Sequence, residues 1–384
     1  MARILYFTRD YTTHDHRFLA ALAETEHKVY YLRLERRGLQ LEDRPLPPQI
    51  EQLTWRGGRG PVSLKDAPQL LADLNRILAS LKPDLIHAGP IQTSALLAAL
   101  TGFRPLVSMS WGSDLLMEAD RNGWFRWATR YTLYRSAALV GDCNPVRQKA
   151  IAFGMPDERI VTFPWGVDLR HYSPTGPGLP IPGYTPSTPE ASSLPPSFVI
   201  LSTRSWEPVY GVDVIARAFV LAAQHCPELR LLMLGGGSQA PLLRQIFTQG
   251  DVLERVHFPG QVTQSSLPRY YRAANLYVSA SHSDGSSISL LEAMACGRPA
   301  LVSDIPGNRE WVTPGEQGWW FPDGDAGALA QAILHAVQER KRLPAMGRVA
   351  RLLTEQRADW EQNFQHLMHA YAIALNGKHS TGSL

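Results

Sequence analysis

The chain has 384 residues, which is enough for two domains or for one large one. Its net charge of +3 is too small to predict nucleic-acid binding, and 44% hydrophobic with 19% charged residues is typical of a soluble globular protein. The three cysteines follow neither disulfide nor metal-ligand spacing, and the sequence contains neither a signal-peptide core nor the roughly 20 apolar residues of a spanning helix. We therefore expect a cytoplasmic protein.

Short apolar runs alternate with helical patterns along the first part of the chain. The runs predict strands at 3–7, 28–32, 84–88, 105–109 and 137–141, and the patterns between them predict helices at 16–24, 66–81, 91–101 and 124–136. This alternation predicts an α/β fold in which parallel strands have helices on both faces.

The alternation stops at residues 173–197, a stretch rich in proline, serine and glycine that predicts a linker between domains. It then restarts, with strands predicted at 198–203, 230–235, 255–260, 275–280 and 299–303, and helices at 211–224, 239–247, 287–296 and beyond 325. The sequence therefore predicts two doubly wound domains, whose cleft is the default binding site.

Two acids in the stretch SHSDGSSISLLEAMACGRP flank a predicted helix start. Asp284 falls in a strand-to-helix loop at the carboxyl end of the second sheet, where open α/β folds bind ligands. Gly285, Ser286 and Ser287 would leave backbone N–H groups at the helix start, and these favour an anion such as phosphate. Glu292 follows within two turns of the helix, so both acids can face one ligand.

A structural explanation of the same two acids fits the spacing equally well. Ser289 and Glu292 match a capping box, in which the carboxylate accepts a hydrogen bond from the serine amide. Asp284 can cap a turn. Spacing alone leaves both explanations open.

Arg204 directly follows the first predicted strand of the second domain. A guanidinium there can bind a phosphate through two N–H groups, and a surface salt bridge is the alternative. The glycine-rich stretch LGGGSQAP, which contains Gly236, lacks the G-x-G-x-x-G spacing. It therefore favours a tight turn beside the cleft over a dinucleotide site.

Polar residues of the first domain also follow predicted strands. Asp114 lies in SMSWGSDLL together with Trp111, and it either caps the next segment or takes part in the chemistry. His87 ends a strand, where a buried structural histidine is the alternative to a ligand contact. His14, in YTTHDHR, either lines the cleft or simply starts a helix.

The sequence offers little support for a metal site. Asp323 and Asp325 resemble a metal-binding pair of acids, but Asp325 is also a natural N-cap for the helix predicted after it. Because three ligands nowhere converge at metal-ligand spacing, we expect no metal.

Residues 121–135, RNGWFRWATRYTLYR, interleave arginines with aromatic residues. This composition suits peripheral contact with a membrane or with a lipid-linked acceptor. A half-buried helix of the first domain explains it equally well.

One stretch carries a family resemblance. Residues 281–310 resemble the signature of retaining GT-B glycosyltransferases of the family-four type (glycosyl transferases group 1), which is an acid, seven residues, a glutamate and then a Gly–Pro strand. Further similar segments follow the family order along nearly the whole chain, at 82–89, 111–116, 154–174 and 211–237.

The resemblance implies two Rossmann-like domains facing a cleft. Residues 1–172 would bind the acceptor, residues 198–357 would bind a nucleotide-diphosphate sugar, and a C-terminal helix at 358–384 would pack back on the first domain. The implied activity is transfer of a hexose, with retention of configuration and without a metal, to a glycan or lipid-linked acceptor. An enzyme of this kind would be cytoplasmic or peripheral at the inner face of the membrane.

The resemblance also implies roles for individual residues. Glu292 would hold the ribose hydroxyls, Asp284 would hold the transferred sugar, and Arg204 would bind the diphosphate. The remaining candidate site residues are Asp114 for catalysis, Gly285, Ser286, Ser287, Tyr210 and Gly236 for the donor, and His14, His87 and Trp111 on the acceptor side. Three of these positions depart from the common pattern, which has glutamate at 284, lysine at 210 and histidine at 111.

Two other functions remain open from the sequence. One is a nucleotide-sugar epimerase or hydrolase on the same fold. The other is a catalytically degenerate module that binds a nucleotide sugar, and the missing lysine at position 210 is the feature that favours it.

Overall fold

The computed structural model describes residues 1–36, 42, 44–180 and 197–380. The chain forms two compact units, Met1–Pro164 together with the chain from Gln362 onward, and Trp165–Glu361. Residues 181–196 of the predicted linker lie outside the described residues. The domain boundaries at 172, 198 and 357 stay a prediction.

The first unit is built on one parallel sheet of seven strands in the order β3-β2-β1-β4-β5-β6-β7. Its strands are β1 (Arg3–Thr8), β2 (Lys28–Arg33), β3 (Glu51–Gln52), β4 (Leu85–Gly89), β5 (Leu106–Met109), β6 (Ala138–Gly141) and β7 (Ile160–Thr162). Its helices are α1 (Thr13–Ala23), α2 (Ala67–Leu81), α3 (Leu96–Leu100), α4 (Ser113–Leu116), α5 (Gly123–Arg135) and α6 (Asn144–Ala152).

Three local features of this unit differ from the sequence prediction. Strands β3 and β7 were not predicted, because they have only two and three residues and are too short to show a periodic pattern. Helix α1 begins before residue 16, because Thr12 and Asp15 form a capping box at its start. The helix predicted over 91–101 is divided into a π-helical turn at Ile91–Ala95 and α3.

The second unit repeats the design with six parallel strands in the order β10-β9-β8-β11-β12-β13. Its strands are β8 (Phe198–Ser202), β9 (Leu229–Leu234), β10 (Val256–Gly260), β11 (Leu276–Ser279), β12 (Ala300–Ser303) and β13 (Gly318–Phe321). Its helices are α7 (Val212–Ala223), α8 (Ala240–Gln249), α9 (Leu267–Ala273), α10 (Ile288–Ala295), α11 (Pro306–Arg309), α12 (Ala326–Gln338) and α13 (Leu343–Arg357). The prediction of two doubly wound parallel sheets is confirmed.

Strand β8 shows why a sheet of this kind is covered on both faces. In β8, Phe198 and Ile200 belong to one buried cluster, whereas Val199 and Leu201 belong to another. Successive side chains of a strand point to opposite faces, so each face needs its own layer of helices.

The last helix, α14 (Trp360–Ser380), begins in the second unit and continues in the first. Within the first unit it buries Phe364, Leu367 and Tyr371. The Tyr371 hydroxyl lies 2.7 Å from Nδ1 of His87 in β4. The prediction that a C-terminal helix packs on the first unit is therefore confirmed. None of the helices among the described residues combines the length and apolar run needed to cross a bilayer.

Candidate functional site

The candidate donor site lies at the carboxyl ends of β8 and β11. These strands are neighbours, but the chain leaves β8 toward β9 and leaves β11 toward β12, so the strand order reverses between them. Doubly wound sheets bind ligands at such a reversal, because the two diverging connections leave a crevice between them. Arg204 follows β8, and Asp284 follows β11.

Arg204 and Asp284 form an ion pair across this crevice, with 2.8 Å between Nη2 and Oδ2. The arginine side chain is only 12% exposed and that of Asp284 18%, so the pair differs from the surface salt bridge that was the alternative for Arg204. Arg204 Nη1 also donates to the hydroxyls of Ser287 at 2.9 Å and Ser289 at 3.2 Å. The sequence placed each residue near the ligand but did not predict that they contact each other.

Tyr210 lies against the same guanidinium. Its ring centroid is 4.0 Å from Cζ of Arg204, a cation–π contact. At position 210 the family pattern has a lysine, which would add a second positive charge. Here the aromatic ring of Tyr210 packs on Arg204 instead.

Gly211 brings this tyrosine close to the end of β11. It has a φ of +57°, and a Cβ there would lie 2.1 Å from the carbonyl oxygen of Ala280. Only glycine allows that approach, so the start of α7 can pack directly on the strand that leads to Asp284.

The loop before α10 is held by one contact within it and by two from neighbouring segments. Asp284 Oδ1 accepts from the Gly285 amide at 3.1 Å, and the Ser286 hydroxyl accepts from Trp311 Nε1 at 3.2 Å. A Cβ on Gly307 would lie 2.5 Å from the carbonyl oxygens of residues 284 and 285, so α11 packs directly against this loop. These contacts fix the position of the backbone that leads into α10.

Glu292 does not cap α10. The helix begins at Ile288, with Ser287 as its N-cap, so Glu292 lies in the helix interior and the capping-box alternative is wrong. Its side chain is 3% exposed and accepts a 2.8 Å hydrogen bond from the hydroxyl of Tyr271 on α9. A buried carboxylate that terminates no helix is consistent with a binding role.

The charge state of the site follows from burial and pairing. Burial by itself would lower the pKa of Arg204, but Asp284 and the neighbouring Tyr210, Tyr277 and Tyr271 together outweigh it, so the pKa is raised and the guanidinium stays protonated. The pKa of Asp284 is raised because burial disfavours its carboxylate more than Arg204 stabilises it. The pKa of Tyr271 is raised by burial and by Glu292, so its hydroxyl remains a donor.

Gly236 lies in the turn after β9. Its carbonyl accepts from the Trp206 amide at 2.9 Å, and no atom lies within 4 Å of the position that a Cβ would take. This arrangement matches the tight turn favoured by the sequence and places the turn beside the loop that carries Arg204.

Asp114, in the first unit, is surrounded by donors. It accepts from the Ser110 hydroxyl at 2.6 Å and from the amides of Ile91 at 2.9 Å, Trp111 at 3.0 Å and Leu115 at 3.0 Å. Burial raises its pKa, while these hydrogen bonds oppose the rise. The geometry favours the structural alternative, in which Asp114 joins the loops after β4 and β5.

His14 and Trp111 lie together, with 5.2 Å between their ring centroids. His14 is the second residue of α1, whose start is capped by Thr12 and Asp15. The structure thus brings two of the three predicted acceptor-side residues together and also supports the helix-start explanation for this segment.

His87 occupies the core instead. It is fully buried, contacts Tyr371, and packs edge-on against Tyr6 at 4.7 Å. A ring without exposed surface has nothing to offer an acceptor, so its position favours the structural alternative. Burial lowers its pKa to about 3.

This buried imidazole predicts a specific loss of stability in acid. Between pH 6.5 and pH 3 the unfolded chain binds a proton at His87 that the folded chain does not, so the free energy of unfolding falls as the pH falls. From pH 8 to pH 5 this contribution amounts to about 2 kcal/mol. Urea unfolding at both pH values should show a smaller loss in His87→Gln than in the wild type. Equal losses would contradict the prediction.

The pair of acids at 323 and 325 serves other contacts. Asp325 is the N-cap of α12 and accepts from the Ala328 amide at 2.8 Å, as the sequence predicts. Asp323 lies 2.7 Å from Nδ1 of His282. Among the described residues no three His, Cys, Asp or Glu side chains group as metal ligands would.

Several contact residues were missed by the sequence analysis. Tyr271 is hydrogen-bonded to Glu292, Tyr277 to Ser289, and Trp311 to Ser286. A tyrosine or tryptophan in an apolar segment is predicted simply as core, and only the tertiary contact shows what its polar atom does.

Two family models match the chain. The model of Glycosyltransferase Family 4 matches residues 12–171, and the model of Glycosyl transferases group 1 matches residues 189–353, which include every candidate donor residue. The chain belongs to the glycosyl transferases group 1 family. The resemblance stated from the motif at 281–310 is therefore confirmed.

Relatives of this chain include enzymes whose names contain inositol compounds. A phosphatidyl-myo-inositol mannosyltransferase of Mycobacterium leprae is 31% identical over 47% of this chain and 47% of that protein. A D-inositol 3-phosphate glycosyltransferase of Nocardia farcinica is 27% identical over 62% of this chain and 52% of that protein. The chain spans about half the length of the curated relatives it matches.

Several solved structures have the same fold as this chain. Anabaena HepE in complex with UDP-glucose has a TM-score of 0.75 and 18% identity, over 97% of this chain and all of that one. Sucrose-phosphate synthase from Thermosynechococcus elongatus has a TM-score of 0.76 and 18% identity, over 97% and 98%. These similarities show that the chain has a GT-B fold.

Proposed function

We propose that this chain is a retaining glycosyltransferase that moves a hexose from a nucleotide-diphosphate sugar to a glycan or lipid-linked acceptor. The observation that carries the proposal is the mostly buried Arg204–Asp284 pair at the strand reversal of the second unit, with Glu292 on the helix that follows. Family membership supplies the class of reaction. The first unit would bind the acceptor, and the second would bind the donor.

In this proposal each charged group takes one part of the donor. Glu292 accepts hydrogen bonds from the ribose hydroxyls, and Tyr271 holds its carboxylate in position. Arg204 and the amides at the start of α10 bind the diphosphate, whose negative charge grows as the sugar leaves. These groups supply positive charge without a metal.

Asp284 would hold hydroxyls of the transferred sugar with the help of the backbone at residues 285–287. When the diphosphate binds to Arg204, the guanidinium can interact with both anions, because it carries five N–H donors. The departing phosphate, rather than a carboxylate of the protein, would assist deprotonation of the acceptor. Arg204 is thus the residue on which the chemical step depends most.

A thermal-shift screen of nucleotide sugars, followed by a turnover assay, tests the proposal. A donor that binds the folded protein raises its melting temperature by mass action. With the right acceptor, the product should keep the anomeric configuration of the donor. Free sugar or an epimer formed at full rate without acceptor would favour the hydrolase or epimerase instead.

A non-catalytic module that binds nucleotide sugar is the second candidate. It is favoured by Tyr210, which contributes a ring to Arg204 where the family pattern has a charged lysine. Donor binding without turnover, across a panel of acceptors, would decide for this candidate.

Helix α5 supports the proposed peripheral membrane contact at residues 121–135. Trp124 is 40% exposed and Trp127 49%, whereas tryptophans that only packed this helix on the core would be mostly covered. Arg126 and Arg130 are exposed on the same helix. Exposed tryptophans with nearby arginines favour binding to an anionic lipid surface. Co-sedimentation with anionic vesicles, weakened in Trp127→Ser, would check this contact, and equal binding of the variant would contradict it.

A further inference from the structure

The first unit contains a cavity of about 950 Å³ that begins at the carboxyl edge of its sheet. Arg9, which follows β1, and Trp111, which follows β5, line the end at the sheet. From there the cavity extends between helices α2, α3 and α5, where Leu70, Leu97 and Trp127 line it. This volume is large enough for a drug-sized ligand.

The lining of this cavity is mostly carbon, and its main polar groups are engaged within the protein. Arg9 pairs with Glu35 at 2.5 Å. Asp114 accepts the hydrogen bonds described above, and Gln92 Nε2 donates to the carbonyl of Asp114 and to the hydroxyl of Thr129, each at 2.8 Å. Leucines of α2, of α3 and of the loop after β2 line the wall, and a leucine cannot satisfy the hydroxyls of a sugar.

The far end of the cavity reaches the exposed face of α5. Trp124 and Trp127 line the cavity and are also the exposed tryptophans of that helix, and Leu100 beside them is 39% exposed. Arg121 lines the same end. The cavity is therefore continuous with the surface that carries the aromatic and basic residues suited to a lipid interface.

We propose that this groove holds one hydrocarbon chain of a lipid-linked acceptor. The polar head would lie at the sheet edge near Arg9 and Trp111, and the chain would run along α3 and leave beside Trp124 and Trp127. The inference rests on the proposed function and narrows it, because it selects a lipid-linked acceptor over a soluble glycan. An apolar wall that joins the sheet edge to an aromatic surface fits a chain with one polar end.

Alkyl monophosphates of 6, 8, 10 and 12 carbons, used below their micelle-forming concentrations, are the probe. Each methylene buried in an apolar groove should tighten binding about fourfold, until the groove is full. Titration calorimetry on the full chain should show this dependence for the wild type. It should be lost in Thr93→Trp, which places an indole in the groove, and in Leu97→Phe, a milder filling variant.

The matched control is Leu352→Trp, which adds the same indole at an exposed leucine of the second unit. This variant should keep the wild-type dependence on chain length. If the affinity of the wild type does not change with the length of the alkyl chain, the proposal that the groove holds a hydrocarbon chain is wrong. A dependence that persists unchanged in both filled variants would place the chain on the outer face of α5 and would also overturn it.

A parallel titration with the donor separates this inference from the proposed function. Thr93→Trp should bind the nucleotide sugar as tightly as the wild type, because the candidate donor residues all belong to the second unit. Donor binding without any chain-length effect would overturn the groove alone. A chain-length effect in a protein that binds no nucleotide sugar would overturn the proposed function and would leave a lipid-binding groove.

Discussion

Replacing Glu292 by glutamine should lower the affinity for the nucleotide-sugar donor about 10- to 100-fold. A hydrogen bond to a charged group contributes about 1.5–3 kcal/mol, and about 1.4 kcal/mol corresponds to a factor of ten. The substitution keeps the shape of the side chain but removes the charge that would accept from two ribose hydroxyls. Titration calorimetry with the donor identified by thermal shift measures the loss directly.

Two further variants show whether the loss comes from Glu292 itself. Tyr271→Phe removes the hydrogen bond that orients Glu292, so it should cause a smaller loss in the same direction. Asp325→Ala removes the N-cap of α12, which should lower the free energy of unfolding by about 0.5–2 kcal/mol and leave donor affinity unchanged. Unchanged affinity of Glu292→Gln for every nucleotide sugar tried would contradict the assignment of this site.

Replacing Arg204 by alanine should lower the free energy of unfolding by about 3 kcal/mol, because it leaves the mostly buried Asp284 without its partner. The double variant Arg204→Ala with Asp284→Ala should recover part of this loss, since neither charge then remains. Urea unfolding of the two single variants and the double variant measures the coupling between the two residues.

Variants of Arg204 should also affect binding of the diphosphate and of the nucleoside to different extents. Arg204→Ala should weaken binding of the nucleoside diphosphate far more than binding of the free nucleoside, because the guanidinium contacts only the phosphates in our proposal. Arg204→Lys retains the charge but loses the two-pronged geometry, so its affinity should fall between those of the wild type and the alanine variant. Equal losses for diphosphate and nucleoside would show that Arg204 acts on the fold alone.

The first unit shows the limits of prediction from residue type. Asp114 follows a predicted strand, His87 ends one, and both are predicted as site residues. In the structure Asp114 accepts four hydrogen bonds that join two loops, and His87 is buried against Tyr371 from the far end of the chain. Position at the end of a strand indicates the edge of the sheet, but it does not indicate which atoms surround the side chain.

The sequence by itself determined the two α/β units, the family, and the capping of α12 by Asp325. Each of these depends on residues close together in the chain, such as a periodic run, a motif or a turn, so a short window contains the information. Tertiary structure alone decided that Arg204 pairs with Asp284, that Tyr210 lies on that arginine, and that Glu292 accepts from Tyr271 instead of capping a helix. The pairing of Arg204 joins residues 80 positions apart, and it exists because β8 and β11 are neighbours in the sheet. That order of strands is set by packing on both faces of the sheet, which no local pattern contains.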